Sequence, residues 1–368
     1  MQINNENYRS IWLDSSCGNM NDQAVKIIDQ TLLPHRFEIR RLSTLQEMVT
    51  AIMTMQVRGA PLIGAAAAYG VALAMQEDAS NIHLDYTAKT LLASRPTAVN
   101  LRWAVQRMLS HLQALPPEQR VATAWAEAAL ICNEDVALNQ AIAQRGLTLL
   151  QALSARHQNR TSTNTLNILT HCNAGWLATV DWGTALAPIY AAFEAGITLH
   201  VWVDETRPRN QGASLTAWEL GQHGIAHTVI TDNAGGHLMQ LGQVDMIIVG
   251  ADRVTKNGDV CNKIGTYLKA LAAFDNHIPF YVAAPSPSID WNITHGHEIE
   301  IEARSEDEVA YITGRLADGT LASVNVLPTG SRAANPAFDI TPARLVTGII
   351  TERGVCAPSD LATLFPEN

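Results

Sequence analysis

Cys172, within His171-Cys172-Asn173-Ala174-Gly175, follows the apolar run Leu166–Thr170 and precedes a helical pattern. A thiol between a strand end and a helix start can be exposed, with a lowered pKa, and so become a nucleophile or acid/base. An inert packed cysteine is an equal reading of the same residues. His171 is too close in sequence to pair with it, because adjacent strand residues point to opposite faces. A structural role for His171 is therefore expected. Asp252 comes after the apolar Met246–Val249 and Gly250. Partial desolvation there raises a carboxyl pKa and suits a general acid, with a helix cap or an Arg253 ion pair as the plainer alternative. Arg58-Gly59-Ala60-Pro61 opens a helix. Free amides, a glycine and a guanidinium fork make a phosphate clamp, though a tight turn with a solvated arginine is the more ordinary reading of a tetrapeptide. Arg95, before another helix start, could add positive charge. Gln211 is a neutral hydrogen-bonding candidate, and Asn262-Lys263 precedes a helix where an oxyanion or sugar hydroxyls could bind.

Positioning these groups requires a scaffold with one functional rim. Five β-prone runs supply it: Leu166–Thr170, Thr198–Val203, Ala226–Ile230, Asp245–Val249 and Pro279–Ala284, each ending in a polar cluster. Helical stretches at Leu177–Glu194, Ser214–His223 and Thr266–Asp275 alternate with them, which is the pattern of βαβ units around a parallel sheet. Ligands of such sheets bind at the carboxyl ends of the strands. Ser286–Glu308 reads as an acidic surface excursion and Val324–Leu327 as one more strand.

The front of the chain is mainly helical. Val25–Ile28 and Arg36–Leu42 suggest a small antiparallel element, and Ser43 with Gln46 resembles a capping box opening a helix. A second helix begins at Pro61, and further helices are expected over Ala98–Leu112 and, with possible breaks, Glu118–Leu153. The polar 158–165 stretch is a natural linker. The fold class is thus α/β, with a mainly helical N-terminal domain carrying a small β element (1–157) and a Rossmann-like parallel-sheet domain (158–368).

At 368 residues, 47% hydrophobic and 16% charged, the composition is that of a globular protein with room for two cores. A net charge of −10 argues against a nucleic-acid-binding face. The first residues lack the pattern of a signal peptide, and Ala60–Met75 is too short to span a bilayer. Five scattered cysteines suit a reducing cytoplasm. No GxGxxG follows a strand, no P-loop lysine occurs, and the 12 histidines are dispersed without metal-ligand spacing. Chemistry by side chains alone, with no metal and no cofactor, is expected.

The motifs VRGAPLIGAAAAYG from Val57, SRPTAVNLRWA from Ser94, THCNAGWLAT from Thr170 and DETRPRNQGASLTAWEL from Asp204 occur in this order. DNAGGHLM from Asp232, GADRVTKNGDVCNKIGTY from Gly250 and NPAFDITP from Asn335 complete the set. Assembled, they resemble the methylthioribose-1-phosphate isomerase family, which includes ribose-1,5-bisphosphate isomerases and regulatory subunits of a eukaryotic translation initiation factor. The likeness covers nearly the whole chain. It implies a homodimer without metal or organic cofactor, catalysing an aldose–ketose step of methionine salvage. It also implies that Cys172 and Asp252 are catalytic, that Arg58, Gly59 and Ala60 bind phosphate, and that Arg95, Gln211, Asn262 and Lys263 contact substrate. Trp176 stands where many relatives carry a smaller residue and, near the rim, would alter tolerance for the group on C5. Ala174 stands where some have threonine.

Three rivals remain on the residues. 5-Deoxyribose 1-phosphate and ribose 1,5-bisphosphate share the phosphate and the acid, differing only around C5. A non-catalytic subunit would have no need of both Cys172 and Asp252. A thiol hydrolase lacks a credible base.

Overall fold

The computed structural model describes residues 1–4, 6–14, 23–158 and 164–367. The N-terminal strands β1 (Gln2–Ile3) and β2 (Glu6–Asn7) form an antiparallel ribbon. β3 (Ile11–Leu13), β4 (Val25–Ile28) and β5 (Ile39–Leu42) form the small antiparallel sheet, in that order. Its last strand starts at Ile39 rather than Arg36. Helix α1 (Leu45–Met53) is capped one residue later than the sequence suggests. Thr44 accepts from the Glu47 amide, and the Glu47 carboxylate accepts from the Thr44 and Ser43 amides at 3.1 and 2.6 Å. A charged carboxylate on a helix N-terminus outcompetes the neutral Gln46 for this place.

Helix α2 (Ala60–Glu77) is buried along nearly its whole length and forms the axis of the helical half. Around it pack α1, α3 (Asn81–Ser94), α4 (Val99–Leu112) and α5 (Pro117–Gln158). Its small residues permit this crowding: a Cβ on Gly64 would lie 3.0 Å from the Asn100 carbonyl oxygen of α4. Helix α3 escapes the sequence pattern because Ile82 and Tyr86 are exposed, which blurs its apolar face. Helix α5 runs unbroken where breaks are expected, packing on α2 and then on α6 (Ala187–Glu194). The expected linker at 158–165 lies largely outside the described residues.

The second half alternates β6 (Leu166–Thr170), α6, β7 (Leu199–Asp204), α7 (Ala217–Gln222), β8 (His227–Ile230), α8 (Ala234–Gln240) and β9 (Met246–Val249). After β9 come β10 (Arg253–Thr255), β11 (Val260–Lys263), α9 (Thr266–Asp275), β12 (Phe280–Ala283) and β13 (Ile289–Asp290). β14 (Tyr311–Arg315), β15 (Leu321–Asn325), β16 (Phe338–Thr341), β17 (Gly348–Ile350) and β18 (Val355–Cys356) follow. The main sheet has the order β18-β17-β12-β9-β6-β7-β8. All neighbours are parallel except β18, which runs antiparallel at one edge. This is the expected α/β architecture. Sequence order runs outward in both directions from the β6/β9 pair, so the topological switch point lies between these two strands.

Several details differ from expectation. Leu177–Glu194 is not one helix: a 3-10 turn at Trp176–Ala178 gives way to irregular chain until α6, where Pro188 sits in the first turn. A π-turn at Gly212–Thr216 precedes the shortened α7. The strand expected at Val324–Leu327 is the end of β15, in a separate hairpin with β14. The segment from Ser286 to Glu308 contributes β13 to a second sheet, β13-β10-β11-β16, so it is only partly a surface excursion. Trp176 is fully buried in the core beside Leu186 and Ile189, not at the rim, because the 3-10 turn directs it inward. Among the described residues, no helix is long and apolar enough to cross a membrane.

Candidate active site

The switch point puts Cys172 and Asp252 on adjacent strand ends. β6 and β9 pair Leu169 with Ile247, and each chain then leaves the sheet into a polar loop. Cys172 takes a left-handed backbone, φ +65°. Its amide donates to Thr206 Oγ1 at 2.8 Å and its carbonyl accepts from Thr216 Oγ1 at 2.7 Å. Two hydroxyls from the loops after β7 thus fix the thiol's peptide. His171 turns the other way, as expected: Nδ1 meets Asp204 Oδ2 at 2.9 Å and Nε2 meets the Ile264 carbonyl at 2.8 Å. Gly265 must be a glycine here, since its φ is +105° and a Cβ would lie 2.9 Å from His171 Cε1.

Asp252 keeps a partly exposed edge and lines a narrow cavity with Ala60, Arg95 and Phe338. Arg253 does not pair with it; that guanidinium binds Asp290 at 3.4 Å and the Thr97 carbonyl. Burial pushes the Asp252 carboxyl above its usual range, against the pull of Lys263, Arg95 and Arg58, with Glu302 adding to the rise. Burial likewise pushes the Cys172 thiol up, although Arg58 and Lys263 oppose it. The lowered thiol pKa expected from the strand-end position is therefore corrected: no sizeable α-helix starts here, and desolvation outweighs the cations. Lys263 is pulled down by burial and held up by Cys172 and Asp252. The thiol, the acid and the three cations thus occupy one electrostatic neighbourhood.

Arg58 is buried and reaches across the molecule to the Cys172 loop, donating to Asn173 Oδ1 at 2.5 Å and to the Asn173 carbonyl at 2.8 Å. Gly59, φ +91°, starts α2, and Ala60 begins the first turn, whose amides lack intrahelical partners. Arg95 pairs with Glu302 at 3.1 Å, while its Nε is buried without a partner. Lys263 returns to the site because β10 and β11 form a hairpin directly after Asp252, whose amide donates to the Cys261 carbonyl at 3.0 Å. The Lys263 ammonium lies 4.6 Å above the Phe338 ring. Gln211 lines a cavity of about 340 Å3 with Arg58, and its buried Oε1 has no partner. Asn262, beside Lys263 on β11, is buried, and its side-chain amide donates to Thr266 Oγ1 at 3.0 Å at the start of α9.

Sequence reasoning passed over Glu219, which is completely buried and holds the Cys172 loop through three hydrogen bonds, with a fourth from the Tyr190 hydroxyl on α6. An acid alone in the apolar run Leu215–Leu220 was the available signal. His171, Asp204 and Asp232 gather closely enough to resemble metal ligands. Lys269 already supplies the cation, with its ammonium 3.3 Å from Asp204 Oδ2 and bonded to the Asp232 carbonyl. The Asp232 carboxylate is engaged by the amides of Thr206 and Arg207, both at 2.8 Å.

A parallel sheet with an acid, a thiol and anchored cations at its switch point defines an α/β protein built for a small anionic ligand. More particularly, the chain belongs to the Initiation factor 2 subunit family, whose profile matches residues 56–358. It is 61% identical to methylthioribose-1-phosphate isomerase of Rhodospirillum rubrum, over 100% of this chain and 94% of that protein. It is also 61% identical to the enzyme of the same name from Acidiphilium cryptum, over 100% and 98%. Among solved structures, 5-methylthioribose 1-phosphate isomerase of Pyrococcus horikoshii superposes with a TM-score of 0.79 at 38% identity, covering 99% of this chain and 97% of that one. Translation initiation factor eIF-2B subunit delta from A. fulgidus gives 0.78 at 38% identity, over 98% and 100%.

Proposed function

We propose that this chain is an aldose–ketose isomerase converting 5-methylthioribose 1-phosphate to 5-methylthioribulose 1-phosphate, a step of methionine salvage. The observation that carries the reading is the convergence of Cys172, Asp252, Arg58, Arg95 and Lys263 at one switch point, in a chain 61% identical over its whole length to methylthioribose-1-phosphate isomerases. A sugar phosphorylated on its anomeric oxygen has no hemiacetal proton and cannot open its ring unaided. Asp252, whose carboxyl burial pushes toward the protonated form, gives its proton to the ring oxygen as the C1–O bond breaks. Hydrogen then moves from C2 to C1, and loss of the 2-hydroxyl proton balances the one Asp252 gave. Cys172 lies beside C1 and C2 to assist that transfer; a thiol pushed up by burial suits a neutral neighbour better than a hydrolase nucleophile. Arg58 and the first turn of α2, with Gly59 and Ala60, hold the phosphate, helped by Arg95 and Lys263, while Gln211 offers a free amide oxygen to a sugar hydroxyl.

The cavity beside Arg58 and Gln211 includes Leu33, Met55, Leu215 and Ile312. Its further guanidinium, Arg209, is paired with Glu308 at 2.9 Å. An apolar C5 substituent fits this wall better than a second phosphate. A homodimer in the cytoplasm belongs to the same proposal, supported by the family likeness. The test is to incubate purified protein with 5-methylthioribose 1-phosphate, 5-deoxyribose 1-phosphate and ribose 1,5-bisphosphate and follow ketose formation by NMR. Preference for the first supports the reading; preference for the bisphosphate, or no ketose at all, overturns it.

A further inference from the structure

We infer that Glu219 is a positioning residue for Arg58, acting by fixing which end of the Asn173 side-chain amide faces the guanidinium. Glu219 Oε1 accepts from Asn173 Nδ2 at 2.8 Å and from the Leu177 amide at 3.0 Å. Oε2 accepts from the Trp176 amide at 2.8 Å and the Tyr190 hydroxyl at 2.7 Å. All four partners donate, so the carboxylate is used purely as an acceptor. Gly175 makes room for it, since a Cβ there would stand 1.9 Å from Oε2.

An asparagine amide has one donating and one accepting end. With Nδ2 committed to Glu219, and a weaker contact from Nδ2 to Thr216 Oγ1 at 3.3 Å, Oδ1 must turn toward Arg58, which it meets at 2.5 Å. The guanidinium is then gripped by the side-chain oxygen and the main-chain carbonyl of one residue, which sets the plane of its fork. Asn173 directly follows Cys172, so the same carboxylate ties the anion anchor to the loop that carries the thiol. Glu219 itself touches neither group.

The inference rests on the reading of Arg58 as a phosphate anchor. Glu219→Gln replaces one of the two acceptor oxygens by an NH2 group, and where that group faces Asn173 and the Leu177 amide it offers a donor in place of the acceptor Asn173 needs. Asn173 then turns over to recover a hydrogen bond and points its own NH2 at Arg58. Loss of this charge-assisted contact should raise KM for the sugar phosphate about tenfold and weaken inorganic phosphate binding, read by calorimetry, by a similar factor. kcat should change less than threefold, because phosphate is held alike before and during the reaction.

Asn173→Asp supplies two acceptors. Added to Glu219→Gln it should return KM and phosphate affinity to within threefold of wild type. Alone it sets two carboxylates against each other and should raise KM. Tyr190→Phe removes one Glu219 hydrogen bond without turning Asn173, and should lower Tm while leaving KM unchanged. The inference fails if Tyr190→Phe raises KM as much as Glu219→Gln does, or if the double variant is no better than Glu219→Gln alone. A Glu219→Gln chain that folds only together with Asn173→Asp supports it; failure of both to fold, with Tyr190→Phe intact, overturns it. Wild-type protein that binds phosphate but turns over no sugar would sink the functional reading and leave the phosphate-affinity comparison standing.

Discussion

Gly59 and Ala178 approach so closely that a Cβ on Gly59 would lie 2.5 Å from the Ala178 carbonyl oxygen. The contact joins the start of α2 to the 3-10 turn six residues past Cys172, so the proposed phosphate-holding helix end and the thiol loop are registered by one missing methyl group. Gly59→Ala should destabilise the protein by roughly 3 kcal/mol, from backbone strain at φ +91° plus the clash, and raise KM. Urea unfolding and steady-state kinetics check this; unchanged stability would mean that the two segments are free to separate.

The proposed chemistry assigns different work to the thiol and the acid and requires both. Cys172→Ser and Asp252→Asn should each cut kcat by about 10²- to 10⁴-fold, with the circular dichroism spectrum unchanged. Near-normal turnover in either would remove that residue from the mechanism.

The expected pH dependence follows from the proposed role of Asp252 as the acid. Burial raises its carboxyl above the ordinary aspartate range, despite Lys263, Arg95 and Arg58. kcat/KM should therefore hold on the acid side and fall as pH rises through this elevated value. Lys263→Gln removes the largest opposing charge, so the falling limb should move to higher pH. A shift to lower pH would place a different group in control.

On α5, Asp135 accepts from the Val180 amide at 2.7 Å and is pushed by burial up to about 7. Its folded value lies above its unfolded value, so the stabilisation is full below the unfolded value near 3.8 and is lost as pH rises through about 7. Between pH 5.5 and 7 this amounts to about 2 kcal/mol. Asp135→Asn keeps an acceptor for Val180 but carries no charge, so its Tm should fall less than that of the wild type across this interval. Parallel Tm curves for the two proteins would contradict the assignment.

Much of the fold was written locally. The runs at Leu166–Thr170 and Thr266–Asp275 form β6 and α9 with the expected boundaries, because buried β-branched runs and a glycine-led helix start carry their own signals. Pro61 places the start of α2 in the same way. Helix α3 and strands β10, β11, β16 and β17 were not legible, being short or only partly buried segments that depend on neighbours distant in sequence.

Of the candidate site, residue types and strand ends could be read along the chain, and so could the separation of His171 from Cys172. The raised state of the thiol could not, since desolvation depends on what packs over it from elsewhere. Nor could Glu219, whose importance comes entirely from four donors on other segments.

The sequence by itself determined the alternation that makes a parallel sheet, the glycines where no side chain fits, and the inventory of acid, thiol and cations. Only the tertiary structure decided that β6 and β9 are neighbours, and with that which strand ends share a crevice. Strand order and burial are set by packing between distant segments, and no local pattern of residues encodes the field they create.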